Sequence, residues 1–223
     1  MTAAQVVAWI RRRGSARNVR GMARYGITSS LPVAGVSVGT LQQLARQLGR
    51  DHALALALWR AGWYESRMLA AFVDEPERVT RRQMDAWVKA FDNWAICDTI
   101  CFHLFDRTPH AWAAVRRWSA ARPEFVKRAA FALIASLAAH DKRAADARFR
   151  PLLPLMVRGA SDERDLVRKG VSWGMRVTGR RSRGLHAAVM RAAERLAQSS
   201  DRGARWVGRD VLRDLARASW ASV

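Results

Sequence analysis

The strongest constraint on what this chain can fold into is a pattern that returns about every 40 residues. FVKRAAFALIASL at 125–137, LVRKGVSWGMRVT at 166–178 and RWVGRDVLRDLAR at 205–217 superimpose on a Val-x-(Arg/Lys) core, so that Arg128, Lys169 and Arg209 become equivalent positions, 41 and 40 residues apart. A step of 34 back from Arg128 falls on Trp94, and the position four later in each segment is Asp98, Ala132, Trp173 and Arg213. Such spacing with two helices per unit belongs to HEAT-type repeats, whose units bury their apolar faces against one another and whose second helices line a concave surface. The expectation is an all-α, HEAT-like or ARM-type helical repeat in which residues 1–223 form one domain with a concave basic groove.

Local signals agree with hairpins of helices. Alternating Val, Ile or Thr runs are few and no Asn-Gly hairpin turn occurs. An amphipathic helix is expected over Ala3–Arg13, followed by a loop with at most a turn of helix in the Gly- and Pro-containing stretch from Asn18 to Val38. Helices then follow near Gly39–Leu48, His52–Ala61 and Tyr64–Val73, and Thr80 with Gln83 reads as a capping box opening one to Lys89. Pro109 and Pro123 each start a further helix, and Pro154 kinks a short one at 150–158. Ser161 or Asp162, Ser182 and Asp201 cap the last three.

On a helical wheel of 166–178, Leu166, Val167, Gly170, Val171, Gly174 and Val177 fill the packing sector, while Arg168, Ser172 and Arg176 face away. Lys169 and Trp173 stand at the border. One edge of successive inner helices then presents Trp94 and Asp98, Arg128, Lys169 and Trp173, and finally Arg209 and Arg213. Charge gives this edge a meaning. Thirty-nine basic against 19 acidic residues leave a net charge of +20, a surface that attracts polyanions and nucleic acid first. The first 100 residues carry 14 − 8 = +6 and the rest 25 − 11 = +14, so the attraction is weighted to the second half. Of the basic residues 35 are Arg, the better phosphate ligand, although genomic base composition also raises Arg content.

No run approaches the ~20 apolar residues of a membrane span, and VVAWI precedes its arginines, the reverse of a secretory signal. A soluble, cytoplasmic protein is expected. Cys97 and Cys101, four apart, lack a second pair of ligands and read as buried small hydrophobes. The five histidines have no metal-ligand spacing, so no metal or cofactor is expected. GRRSRG at 179–184 reads as a basic turn, either touching DNA backbone or simply exposed.

The stretch FDNWAICDTICFHLF at 91–105 is apolar nearly all round and contains Asp98, one turn after Trp94 and on a face shared with Phe91 and Cys101. A buried ionised Asp costs several kcal/mol unless paired. Either an arginine satisfies it in a helix-to-helix salt bridge or its face opens onto a site. In a groove that holds DNA by its phosphates, a fixed carboxylate stabilises the positive charge that develops on deoxyribose when an N-glycosidic bond breaks. An alkylated base is already cationic and leaves without a general acid. Indole faces attract such cations by about 0.5–2 kcal/mol.

The chain resembles the AlkD-type DNA alkylation repair glycosylases, HEAT-like helical proteins that release N3- and N7-alkylated purines from duplex DNA. The likeness spans about 18–217 and rests on MARYGI at 22–27, DHALALALW at 51–59, WYESRMLA at 63–70, NWAICD at 93–98, FVKRAAFAL at 125–133 and VRKGVSWGMR at 167–176. It implies that Asp98, Trp94 and Trp173 are catalytic. By the same likeness Arg128 contacts DNA beside the site, and Tyr25 belongs to the helices lining the lesion side. Lys169, Arg209 and Arg213 join the DNA-binding set through the repeat. The implied partner is duplex DNA containing alkylated purines, bound by a monomer without membrane or metal, with an abasic site as product. The alternatives are a non-catalytic HEAT-like nucleic-acid-binding scaffold with the same groove, and a helical repeat that binds an acidic protein.

Overall fold

The computed structural model of the chain describes residues 1–216 and contains no strand among them. Arg217, the last residue of the third repeat segment, lies outside the described residues, as does the end of the expected 1–223 domain. Two compact units are formed, Met1–His110 and a second beginning at Ala111. No helix among the described residues is long and apolar enough to cross a membrane.

In the first unit α1 (Ala3–Arg12), α2 (Ala16–Ala23), α3 (Val38–Leu48), α4 (His52–Arg60), α5 (Tyr64–Val73), α6 (Arg81–Lys89) and α7 (Trp94–His103) follow in order. Their starts are set by side chains: Thr2, Ser15, Ser37, Asp51, Thr80 and Asn93 each accept a hydrogen bond from an N–H in the first turn, satisfying donors that a helix leaves open. α4 and α5 form a hairpin, and α5 packs on both α3 and α7. The stretch expected to be mainly loop holds α2, a full helix with no buried residue. Polar ties hold it instead of packing. Ser15 N–H donates to Ala34 O at 2.7 Å and Asn18 Nδ2 to Gly35 O at 2.8 Å.

Glu65, fully buried on α5, anchors the same loop by accepting from the N–H groups of Ala34 (3.1 Å), Gly35 (2.6 Å) and Val36 (3.3 Å). Gly35 is required there: its φ is +85°, and a Cβ would collide with Ser15 O. At α6 only half of the expected capping box forms. Thr80 accepts from Gln83 N–H at 3.1 Å, but the Gln83 amide donates to the buried Asp74 carboxylate at 2.7 Å. A buried carboxylate has the greater need of a donor.

The second unit comprises α8 (Ala111–Trp118), α9 (Glu124–His140), α10 (Asp146–Phe149), α11 (Leu153–Gly159), α12 (Asp165–Gly179), α13 (Arg183–Ala197) and α14 (Arg202–Leu215). α8 packs on α9, α11 on α12 and α13 on α14, while α12 lies between α9 and α14. The three helices carrying the sequence repeat are therefore the inner row, and the fold class is an all-α HEAT-like helical repeat. α9 buries almost every residue from Val126 to Ala138, with Phe131 fully enclosed. Three expectations shift. Pro154 occupies the first turn of α11, where its missing N–H costs nothing, and opens the helix instead of kinking it. α8 starts at Ala111, not at Pro109. α12 starts after Arg164, because Asp162 is engaged by Lys127 at 2.8 Å and Arg164 at 2.7 Å rather than by the helix N-terminus.

Candidate functional site

The first unit assembles Tyr25, Trp94 and Asp98. α7 is shorter than the apolar stretch around it. Asn93, buried, accepts from Ile96 N–H at 3.0 Å and starts it, and Leu104 to Arg107 pass into a short 3-10 turn. Ala95, Ile96, Cys97, Ile100 and Cys101 are buried, whereas Trp94, Asp98 and Phe102, spaced i, i+4, i+8, are half-exposed. Phe91 and Cys101, expected on the Asp98 face, belong to the core. Phe102, one turn beyond Asp98, is the half-exposed residue that continues the strip.

Asp92 fixes where α7 begins. Asn93 Nδ2 donates to its Oδ1 at 2.7 Å, and Ser30 N–H (2.6 Å), Ser29 Oγ and Ser30 Oγ (2.9 Å each) donate to its Oδ2. Burial works to raise this carboxyl, but the hydrogen bonds from Ser30, Ser29 and Asn93 outweigh it and hold the group below the usual carboxylate range. Arg67 donates to Ala90 O at 2.9 Å and lies over Trp59, which stacks on Trp87 at 4.1 Å. Burial lowers the Arg67 guanidinium and the charge of Asp92 opposes this. The start of α7 is thus braced from two sides.

Trp94 Nε1 donates to Tyr25 O at 3.1 Å, which pins the indole to the turn after α2. That turn needs Gly26, at φ +65°, because the chain reverses there with Ile27 N–H returning to Met22 O. The Tyr25 ring is 74% exposed. Beside it opens a cavity of about 760 Å³ lined by Arg17, Arg20, Arg24, Tyr25 and Tyr64. Burial, with the charges of Glu65 and Asp92, pushes the Tyr64 hydroxyl up to about 12, so it stays protonated. The three arginines were passed over in the sequence. Their i, i+3, i+7 spacing in ARNVRGMAR was the available signal, masked by reading the stretch as loop.

The two cysteines are thiols, not joined in a disulfide, and both are fully buried. Burial raises the Cys101 thiol well above its ordinary value, with Cys97, Asp98 and Asp106 adding to the effect, so it stays protonated. No group of three or more metal-ligating side chains occurs among the described residues.

The second unit brings Arg128, Lys169 and Trp173 onto α9 and α12, and Arg209 and Arg213 onto α14. Arg128 is only 6% exposed and donates Nη1–H to Leu166 O at 2.5 Å, bridging α9 to the first turn of α12. Gly170 faces its stem: a Cβ there would meet Arg128 Cγ at 3.5 Å, ordinary van der Waals contact. Trp173 is half-buried, and Lys169, Arg209 and Arg213 are exposed. Arg213 lies 3.4 Å from Asp210.

One expectation about α12 is corrected. Ser172 and Arg176 do not face away. Ser172 is buried and donates to Asp210 at 2.6 Å, while Arg176 reaches Asp214 at 3.4 Å. An inner helix has a neighbour on each side, and a wheel with one packing sector omits the second. In the basic turn, Arg181 donates to Ala138 O at 3.1 Å and Asp141 O at 2.6 Å and lies over Phe149, and Arg180 pairs with Asp214 at 2.7 Å. These arginines close the end of α9 and brace α14.

A family model described as DNA alkylation repair enzyme matches residues 7–213. Among solved structures, the chain is similar to a protein described as one of a new family related to the HEAT-like repeat DNA glycosylases, with affinity for branched DNA structures. The identity is 15%, the TM-score 0.78, and the match covers 96% of this chain and 95% of that one. Designed armadillo repeat proteins match more loosely, one at 14% identity with a TM-score of 0.36 over 80% of this chain and 92% of that one. No curated protein matches in sequence.

Proposed function

The chain belongs to the DNA alkylation repair enzyme family, and from that premise we propose that it is a monofunctional DNA glycosylase that hydrolyses the N-glycosidic bond of cationic N3- and N7-alkylated purines in duplex DNA. The observation that carries this reading is the half-exposed strip of α7: a carboxylate one turn from an indole that is itself fixed through Tyr25 O.

In this mechanism the alkylated base leaves neutral, taking the bonding electrons, and no acid is needed to protonate it. The deoxyribose becomes oxocarbenium-like. Asp98, ionised, lies against that charge and orients the water that adds to the sugar. Trp94 offers a π face to the cationic sugar or base, which favours the charged species over the neutral product, and its N–H bond to Tyr25 O keeps the ring in one orientation. Trp173, grouped with these residues by the family resemblance, is assigned a second aromatic contact. The DNA itself is held by Lys169, Arg209 and Arg213 and by the arginines beside Tyr25, while Arg128, buried and donating to Leu166 O, braces the α9–α12 seam.

A second reading, a DNA-binding scaffold without chemistry, draws on the description of the similar structure as having affinity for branched DNA. Both predict salt-sensitive binding; base release separates them. Incubation with methylated duplex DNA should liberate N3-methyladenine and N7-methylguanine above the spontaneous rate. Release no faster than that leaves the scaffold reading.

A further inference from the structure

Trp206 is the most exposed tryptophan among the described residues, 41% open to solvent. Its neighbours on α14 give the exposure a direction. Arg202, Trp206, Arg209 and Arg213 are spaced i, i+4, i+7, i+11 and so form one stripe. The acidic side chains of this helix are committed elsewhere. Asp210 accepts from Ser172 on α12 and Asp214 pairs with Arg180 and Arg176. Only Arg213, at 3.4 Å from Asp210, shares one of them.

Beside Trp206 lies a cavity of about 490 Å³, ample for one nucleobase, that Lys169 and Arg202 also line. Of the other charges there, Arg168 is spent on Asp162 O at 2.7 Å, Glu163 O at 2.8 Å and the Asp165 carboxylate, and Asp165 is thereby neutralised. Gly203 lets the first turn of α14 close on the Arg168 stem, since a Cβ would stand 2.7 Å from Arg168 Cδ. What the cavity offers a ligand is therefore an open indole face and two unspent cations.

An aromatic face flanked by cations is the arrangement that holds unpaired nucleotides, whose bases stack while their phosphates meet the charges. Paired bases offer no free face, and an acidic peptide would use the cations but leave the indole in water. We propose that this cavity binds an unpaired nucleotide of DNA, with its base stacked on Trp206 and its phosphates on Lys169 and Arg202. The inference rests on the α14 stripe being a DNA-contacting face, and not on base release.

The test is fluorescence anisotropy with labelled oligothymidylate of about 10 nucleotides, compared with undamaged duplex of about 20 base pairs, across a salt series. Trp206→Ala should weaken oligothymidylate binding roughly ten-fold while changing duplex binding less than about two-fold, and Trp206→Phe should recover most of the loss. Arg202→Ala should weaken the same probe and lower its salt slope by about 0.7. Unchanged oligothymidylate binding by Trp206→Ala overturns the proposal. So does an equal loss on duplex, or displacement of the probe by oligoglutamate as readily as by unlabelled oligothymidylate. Base release from methylated duplex, measured on the same preparations, keeps the two readings apart. Failure of the Trp206 dependence with release intact strikes this inference alone, and absent release with the dependence intact strikes the glycosylase alone.

Discussion

Gly170 and Gly174 stand one turn apart on α12, and the same substitution should move stability in opposite directions at the two. Alanine in place of helical glycine gains about 1 kcal/mol of helix propensity. At 170 the new Cβ would lie 3.5 Å from Arg128 Cγ, 3.6 Å from Arg128 O and 3.6 Å from Phe131 Cβ, which is ordinary van der Waals contact. The gain then survives, and Gly170→Ala should raise Tm by about 2–4 °C in a chain of this size. At 174 the Cβ would stand 3.2 Å from Phe131 O and 3.3 Å from Met156 Sδ. The thioether can swing aside, but the carbonyl belongs to the middle of α9, whose residues are buried on both sides. Overpacking of that kind costs about 1–3 kcal/mol, so Gly174→Ala should lose about 1 kcal/mol net and drop Tm by a similar interval. Circular dichroism melts of the two variants and the parent decide it. Duplex affinity of Gly170→Ala should match the parent, because the Arg128 stem keeps its seat. Two variants that stabilise equally, or a Gly174→Ala above Gly170→Ala, would refute the close approach of α12 to α9 on which the placement of Arg128 and Trp173 depends.

Glu65→Ala should destabilise by about 3 kcal/mol, read in urea melts, since it strands the buried N–H groups of Ala34, Gly35 and Val36; Glu65→Gln should cost less, and a neutral Glu65→Ala would mean the loop does not need the carboxylate. Asp162 is held well below the usual carboxylate range, by Arg164 first, against burial, with Lys127 assisting. A depressed folded value means stability that is present above about pH 4 and lost as pH falls below it, so Asp162→Asn should flatten the decline in Tm between about pH 4 and 2, and an unchanged slope would contradict the pairing. Arg209→Ala, fully on the surface, should leave Tm unmoved and reduce the salt slope of duplex binding by about 1; an unaltered slope removes Arg209 from the DNA-contacting set.

Much of the architecture was legible because it is written in local signals. Thr80, Ser182 and Asp201 cap the helices they announce, and the Val-x-(Arg/Lys) period marks the helices that form the inner row. The features that escaped are those whose partners are distant or are backbone. Glu65 finds three amides some 30 residues away, and Gln83 turns from its cap to a carboxylate that sequence gives no reason to call buried. α2 is short, and its apolar side is only Ala16, Val19, Met22 and Ala23, none of them fully buried, so the Ser15 cap and ties to loop carbonyls carry much of its placement. Arg128 and Arg181 read as surface charge but are spent on main-chain oxygens, which a guanidinium can satisfy while its stem packs. At the candidate site, the pairing of Trp94 with Asp98 followed from helical spacing, whereas the Trp94 bond to Tyr25 O joins positions 69 residues apart and leaves no mark in either local sequence.

The central claim is that Asp98 acts on a cation formed at the sugar. The most direct measurement is single-turnover release of N7-methylguanine and N3-methyladenine by Asp98→Asn beside the parent, with duplex affinity measured on the same protein. Loss of one charged transition-state contact should cut release by roughly 100-fold or more while affinity for methylated duplex is kept or improved, since a carboxylate that repels phosphates has been neutralised. Release by Asp98→Asn at the parental rate, with binding intact, would contradict the account and return Asp98 to a structural role on α7.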